Sequence, residues 1–160
     1  MTTSETVSAQ ESSFSVQRIY LKDCSFETPH SPEIFRAEWQ PHVDFELQIL
    51  NQKLADDAYE VVVAGTATAT VDKKVAFLVE VKQAGIFTFK NIPEEQMPVL
   101  INIVCPNILF PYFRETMSSL TLRGTFPPLT LDPINFEALY QQRLAQENSA
   151  KNGEGSTTIQ

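Results

Sequence analysis

This chain is short of the residues from which catalytic and metal-holding sites are commonly built. Its five glycines form no G-x-G-x-x-G and no phosphate-cradling loop. Two histidines, His30 and His42, flank a long intervening segment, with Cys24 upstream. The close ligand pairs of a zinc site are missing, so no metal and no cofactor are expected. Cys24 and Cys105 lie far apart without C-x-x-C spacing, which argues against a disulfide framework and for a reducing compartment. Cys105 precedes a proline inside an apolar run, the setting of an inert thiol rather than an activated one. No G-x-S-x-G occurs, and no two acids are placed in one pocket by sequence alone. The expectation is a protein that is not an enzyme.

Two further shortages narrow the field. No run reaches the ~18 apolar residues of a membrane span. The start, "MTTSETVSAQESS", lacks the basic and apolar regions of a secretory signal, so a cytosolic protein without direct membrane insertion is expected. Bases are also scarce: 12 Lys and Arg stand against 20 Asp and Glu, for a formal net charge of −8. From Asp23 to Glu60, nine acids are opposed only by Arg36 and Lys53. Such a balance repels phosphate backbones, so nucleic acid is not expected, whereas a basic segment of another protein suits it.

What is present is a periodic pattern. "FSVQRIYLKDCSFE" alternates, with Phe14, Val16, Tyr20, Cys24 and Phe26 in one phase and Ile19 and Leu21 in the other. This predicts a long strand carrying a bulge, or a sheet covered on both faces. A loop with Pro29, Pro32 and Pro41 comes next and carries Phe35 and Trp39. "VDFELQI" predicts a strand with Val43, Phe45, Leu47 and Ile49 inward. "YEVVVAGTATATV" and "VAFLVEVKQAGIFTF" predict a hairpin around residues 72–74. Whether Phe77, Val79 and Val81 meet the chain's own helices or a second subunit is open at this point.

After Asn91 the period changes. "NIPEEQMPVLINIVC" predicts a short helix start broken near Pro98. Asn107 is a candidate cap for a helix whose stripe is Leu109, Tyr112, Phe113, Met117 and Leu120, ended by a left-handed Gly124. Asp132 with Pro133 predicts the start of a last helix bearing Phe136, Leu139, Tyr140 and Leu144. The fold class is therefore α+β, a four-stranded antiparallel sheet followed by two helices. Residues 13–145 form the domain, with mobile segments at 1–12 and 146–160. Aromatics gather where regular structure breaks: Phe35 and Trp39, then Phe110, Tyr112 and Phe113 around Pro111, then Phe126. Such segments either close the core or wall a cleft for extended apolar peptide.

The segments "QRIYLKDCSFETP", "EWQP", "LADDAYEVVV", "AFLVEV" with "GIF", "CPNILFPYFRE" and "RGTFPPLTLDPINFEALY" resemble, in order and spacing, the SecB protein-export chaperones of Gram-negative bacteria. The likeness runs from about Phe14 to Leu144. It implies a cytosolic homotetramer, a dimer of dimers, that holds unfolded precursor proteins without ATP and hands them to the SecA ATPase. By position it implies SecA contacts at Asp23, Glu27, Leu78 and Glu80, received by the basic, zinc-holding C-terminal tail of SecA. It implies tetramer contacts at Val79, Val81 and Gln83, and client contacts at Trp39, Phe110, Tyr112 and Phe126. Two alternatives stay open: a SecB-like antitoxin chaperone with one dedicated client, and a small-molecule or lipid-binding α+β domain.

Overall fold

Period-two alternation builds four strands: β1 (Ser13–Glu27), β2 (His42–Ala55), β3 (Ala58–Val71) and β4 (Lys74–Lys90). A computed structural model describes residues 10–153. The strands form one antiparallel sheet in the order β1-β4-β3-β2, which leaves β1 and β2 at its edges. The β3–β4 hairpin turns on Asp72 and Lys73, with φ of 49° and 64°. Two left-handed residues give the turn whose twist matches the strands it joins.

Strand β1 shifts register between Val16 and Arg18 and again between Leu21 and Asp23. Each extra residue, Gln17 and then Lys22, reverses the phase of the residues after it. Val16, Ile19, Leu21, Cys24 and Phe26 therefore share the helix side of the sheet, and the bulge expected from the sequence is present twice. Tyr20 turns to the opposite face, where its partner on β4 is Ala84.

The helical run begins with a 3-10 turn at Glu94–Gln96. It passes through α1 (Met97–Val99) and a π-helical stretch at Leu100–Val104, and continues as α2 (Cys105–Arg123). Pro98 sits in the first turn of α1 and does not break the run. Pro106 lacks the N–H that would bond back one turn, and the wide π turns lie just before it. Helical geometry is thus established ahead of Asn107, which is exposed within α2 and caps nothing. By length and composition, 94–123 is apolar enough to cross a membrane, which a residue-by-residue count does not reveal. Here one face of it, with Leu109, Phe113 and Met117, is buried in the core.

The glycines on the helix side of the sheet explain how closely α2 lies. A Cβ at Gly65 would strike the Phe113 ring, and one at Gly85 would come within 2.9 Å of Leu109 Cδ2. Without side chains at these points, α2 sinks into the sheet. Beneath it lie Val61, Val63, Phe77, Val79, Val81 and Phe87.

The helix ends at Gly124, whose φ is −79°; the left-handed residue is Thr125, at 64°. Thr121, fully buried, donates to the Ser118 carbonyl at 2.9 Å and accepts the Leu129 N–H at 3.1 Å, which pins the returning chain. The last helix, α3, spans Phe136–Gly153. Its cap is Asn135, whose Oδ1 accepts the Ala138 N–H at 3.0 Å, so Asp132 and Pro133 lie in the extended link. The helix continues past Ala145, so 146–153 are helical where the sequence suggests a mobile tail. Residues 1–9 and 154–160 of the two expected mobile segments lie outside the described residues. Glu11 and Ser12 are bonded to Asn91 through its side-chain amide and its carbonyl.

Candidate functional site

Residues directly opposed in an antiparallel ladder project from one face. On the face away from α2, three rows of side chains cross the sheet. Asp23 is opposed by Lys82, Lys82 by Ala64 and Ala64 by Gln48. The next row holds Ser25, Glu80, Thr66 and Glu46, and the third holds Glu27, Leu78, Thr68 and Asp44. Asp23, Glu27, Leu78 and Glu80 are thus brought together on adjacent strands of one outer face. Glu80 is held by Thr66 Oγ1 at 3.3 Å and Ser25 Oγ at 3.4 Å. A shallow hollow runs over Asp23, Glu46, Thr66, Glu80 and Lys82.

Sequence reasoning did not single out Asp44 and Glu46, which extend the same rows onto β2. Their signal was the polar phase of "VDFELQI", which becomes meaningful only when β3 is placed beside it. Five carboxylates and Lys82 then share the three rows, a face suited to a basic partner with one opposite charge of its own.

A second polar cluster lies on the same face. Glu60, only 6% exposed, accepts from Lys22 Nζ at 2.7 Å and Gln52 Nε2 at 3.0 Å through Oε1, and from the Tyr20 hydroxyl through Oε2. Burial pushes the Glu60 carboxyl up, but the donors from Lys22, Tyr20 and Gln52 together outweigh it and hold the group below its ordinary range. Burial, then the bond to Glu60 and its charge, push Tyr20 up to about 12.

Val79, Val81 and Gln83 face the other way. They are 0%, 1% and 4% exposed and lie in the same phase as the core residues under α2. Within the protomer they are covered on the α2 side, because β4 turns alternate residues to opposite faces. Burial also pushes the Cys105 thiol up to about 12, in keeping with an inert core cysteine.

The four candidate client aromatics divide. Trp39 and Phe126 meet, with ring centroids 5.4 Å apart, in a cluster with Phe26, Phe35 and Phe77. Phe126 is its buried hub, Trp39 is half-buried, and Phe35, at 49% exposed, lies outermost. Phe110 belongs to a separate cluster, 6.0 Å from Phe113 and 5.7 Å from Phe136, and is buried. Tyr112 is 50% exposed on the outward side of α2. Phe110 and Phe126 are the buried members of the two clusters, Phe110 also lining a hollow with Pro111 and Arg114, and Trp39, Phe35 and Tyr112 are the more exposed aromatics.

Beside the second cluster lies a cleft of about 260 Å³ between β2 and α3, lined by Leu47, Ile49, Phe136, Leu139, Tyr140 and Arg143. Asn102 Oδ1 accepts from Arg143 Nη2 at 2.8 Å, which holds the guanidinium at the rim. The cleft can bury an apolar side chain while leaving a hydrogen-bonding head group at its edge. Its residues are distant in sequence, and only the placement of α3 reveals it. Among the described residues no cluster of three or more His, Cys, Asp or Glu could hold a metal ion.

Comparison with known proteins agrees with this architecture. The family described as preprotein translocase subunit SecB matches residues 7–147. A protein-export protein SecB of Paraburkholderia phymatum is 52% identical over 143 residues, covering 89% of this chain and 92% of its own. One from Burkholderia mallei is 53% identical over 146 residues, covering 88% and 92%. Among solved structures, a SecB-like chaperone of Mycobacterium tuberculosis, in complex with a peptide from an antitoxin, superposes with a TM-score of 0.62. It is 20% identical and covers 76% of this chain and 90% of its own, a likeness of fold. The chain belongs to the SecB family of protein-export chaperones.

Proposed function

We propose that this protein is an ATP-independent holdase. It keeps unfolded precursors competent for export in the cytosol and delivers them to SecA. The observation that carries this reading is the two-sidedness of the sheet. Its outer face presents Asp23, Glu27, Leu78 and Glu80 together, and its helix side opens into an apolar cleft at Leu47, Ile49, Leu139 and Tyr140.

A holdase must favour unfolded chains, and apolar clefts do so because folded proteins rarely expose long apolar segments. The cleft and the Trp39–Phe35 lip provide two separate points of attachment on each protomer. Several weak attachments on one assembled particle hold a client tightly through effective concentration, while each alone lets go readily. That permits release without nucleotide. SecA, docked through its basic zinc-holding tail on the acidic face, then competes for the client.

Assembly as a dimer of dimers fits the apolar surface left on the protomer. Val16 and Leu21 on edge strand β1, and Tyr112 and Leu122 on α2, are large and exposed. Val79, Val81 and Gln83 act on the seam by supporting α2 from beneath. The decisive experiment is suppression of aggregation of an unfolded secretory precursor, without ATP, at near-stoichiometric tetramer. A protein that fails this and binds instead a small apolar ligand at fixed stoichiometry would overturn the reading. Capture of a single dedicated client would favour the antitoxin-type alternative.

A further inference from the structure

We infer that Glu60 is a positioning residue for the acidic docking face: it captures the Lys22 ammonium and so keeps that charge from quenching Asp23. This rests on the proposal that SecA docks on that face. Lys22 is the extra residue of the second β1 bulge and immediately precedes Asp23. A bulge takes one residue out of the ladder alternation, and the contacts show where this one goes. Lys22 reaches across β4 to Glu60 on β3 at 2.7 Å, while Asp23 stands opposite Lys82. Tyr20, which also reaches Glu60, stands opposite Ala84, whose small, fully buried side chain leaves it room.

Both oxygens of Glu60 are occupied: Oε1 by Lys22 and Gln52, Oε2 by Tyr20. A carboxylate fixed at both ends cannot swing, so it sets where Lys22 points. Released, an ammonium on a flexible four-carbon stem would turn to the carboxylate beside it. Asp23 would then be half neutralised before any partner arrived. The same cluster also ties β1 to β3 and so contributes to stability. The two roles part when the carboxylate is shortened without changing charge.

The test compares wild type, Glu60→Asp, Lys22→Gln and the double variant. Each is titrated by calorimetry at low salt with a zinc-loaded peptide of the basic SecA tail, alongside thermal unfolding. Net charge is the same in Glu60→Asp as in wild type, so the general field of the face is preserved. Glu60→Asp is expected to bind about threefold more weakly, the size of one exposed ion pair. In the Lys22→Gln background the same change is expected to leave binding unaltered, while its effect on thermal unfolding persists. Wild-type affinity in Glu60→Asp, or an equal loss in both backgrounds, overturns the inference alone. Absence of binding by wild type overturns the docking reading and this inference with it.

Discussion

The Phe113 ring occupies the space that a Cβ on Gly65 would need, at the point where α2 crosses β3. The contact sets how closely the helix approaches the sheet, and with it the position of the helical layer against which α3 and the cleft are placed. Gly65→Ala should lift α2 and destabilise the protomer by about 1–3 kcal/mol, as other insertions into packed cores do. A urea titration gives the value, and an unchanged midpoint would show that Phe113 finds another rotamer.

Reversing charge at Asp23 and Glu80 together attacks the outer face and leaves the helix side alone. SecA affinity should fall by more than about tenfold, because like charges then oppose the basic tail. Aggregation suppression should be preserved. Docking by wild type should also weaken as salt rises, since exposed pairs are screened over about 10 Å at 0.1 M. Calorimetry that returns an unchanged SecA affinity removes these residues from the docking surface.

Val81→Lys puts an ammonium beneath α2 among apolar side chains. An unpaired buried charge costs about 3–5 kcal/mol, so the urea midpoint should drop sharply. With α2 displaced, light scattering should report dimers in place of tetramers. A lowered midpoint with the tetramer mass intact would take α2 out of the seam.

The cleft is tested separately. Leu139→Asp brings a charge to its wall and should weaken capture of an unfolded precursor about tenfold, the equivalent of one lost apolar contact. SecA docking should stay as it was. If capture is unaffected, client attachment belongs to the Trp39–Phe35 lip.

The Tyr20–Glu60 pair predicts opposite slopes at the two ends of the pH scale. Glu60 is held below its unfolded range, so its contribution is present above about 4.5 and is lost as pH falls through the lowered folded value. Tyr20 is raised from 10.0 to about 12, so its contribution is complete below 10 and is lost as pH climbs through 12. Urea midpoints measured across both windows should show these losses in wild type. Tyr20→Phe should lack the alkaline one.

The sheet could be read from the sequence because alternation is a local property. The phase break at Ile19 and Leu21 announced the bulges in β1, though not that there are two. Capping was harder. Asp132 followed by Pro133 has the chemistry of a helix start, but the helix waits for Asn135, whose side chain reaches the Ala138 N–H. Asn107 was eligible only because the sequence does not show that π turns already carry the chain from Leu100. The acidic face was half visible: Asp23 with Glu27 and Leu78 with Glu80 are short-range pairs, whereas Asp44 and Glu46 join them through two strand pairings. Val79, Val81 and Gln83 show the limit most clearly. An apolar strand face looks the same whether its own helix or another subunit will cover it.

Neighbouring codons in β4 answer to different judges. Leu78 and Glu80 look out to solvent, and Val79 and Val81 look in to the helix. A single substitution along this strand is read on one side of a sheet one layer thick and hardly at all on the other. The outer face can therefore change its chemistry while the packing beneath α2 stays put.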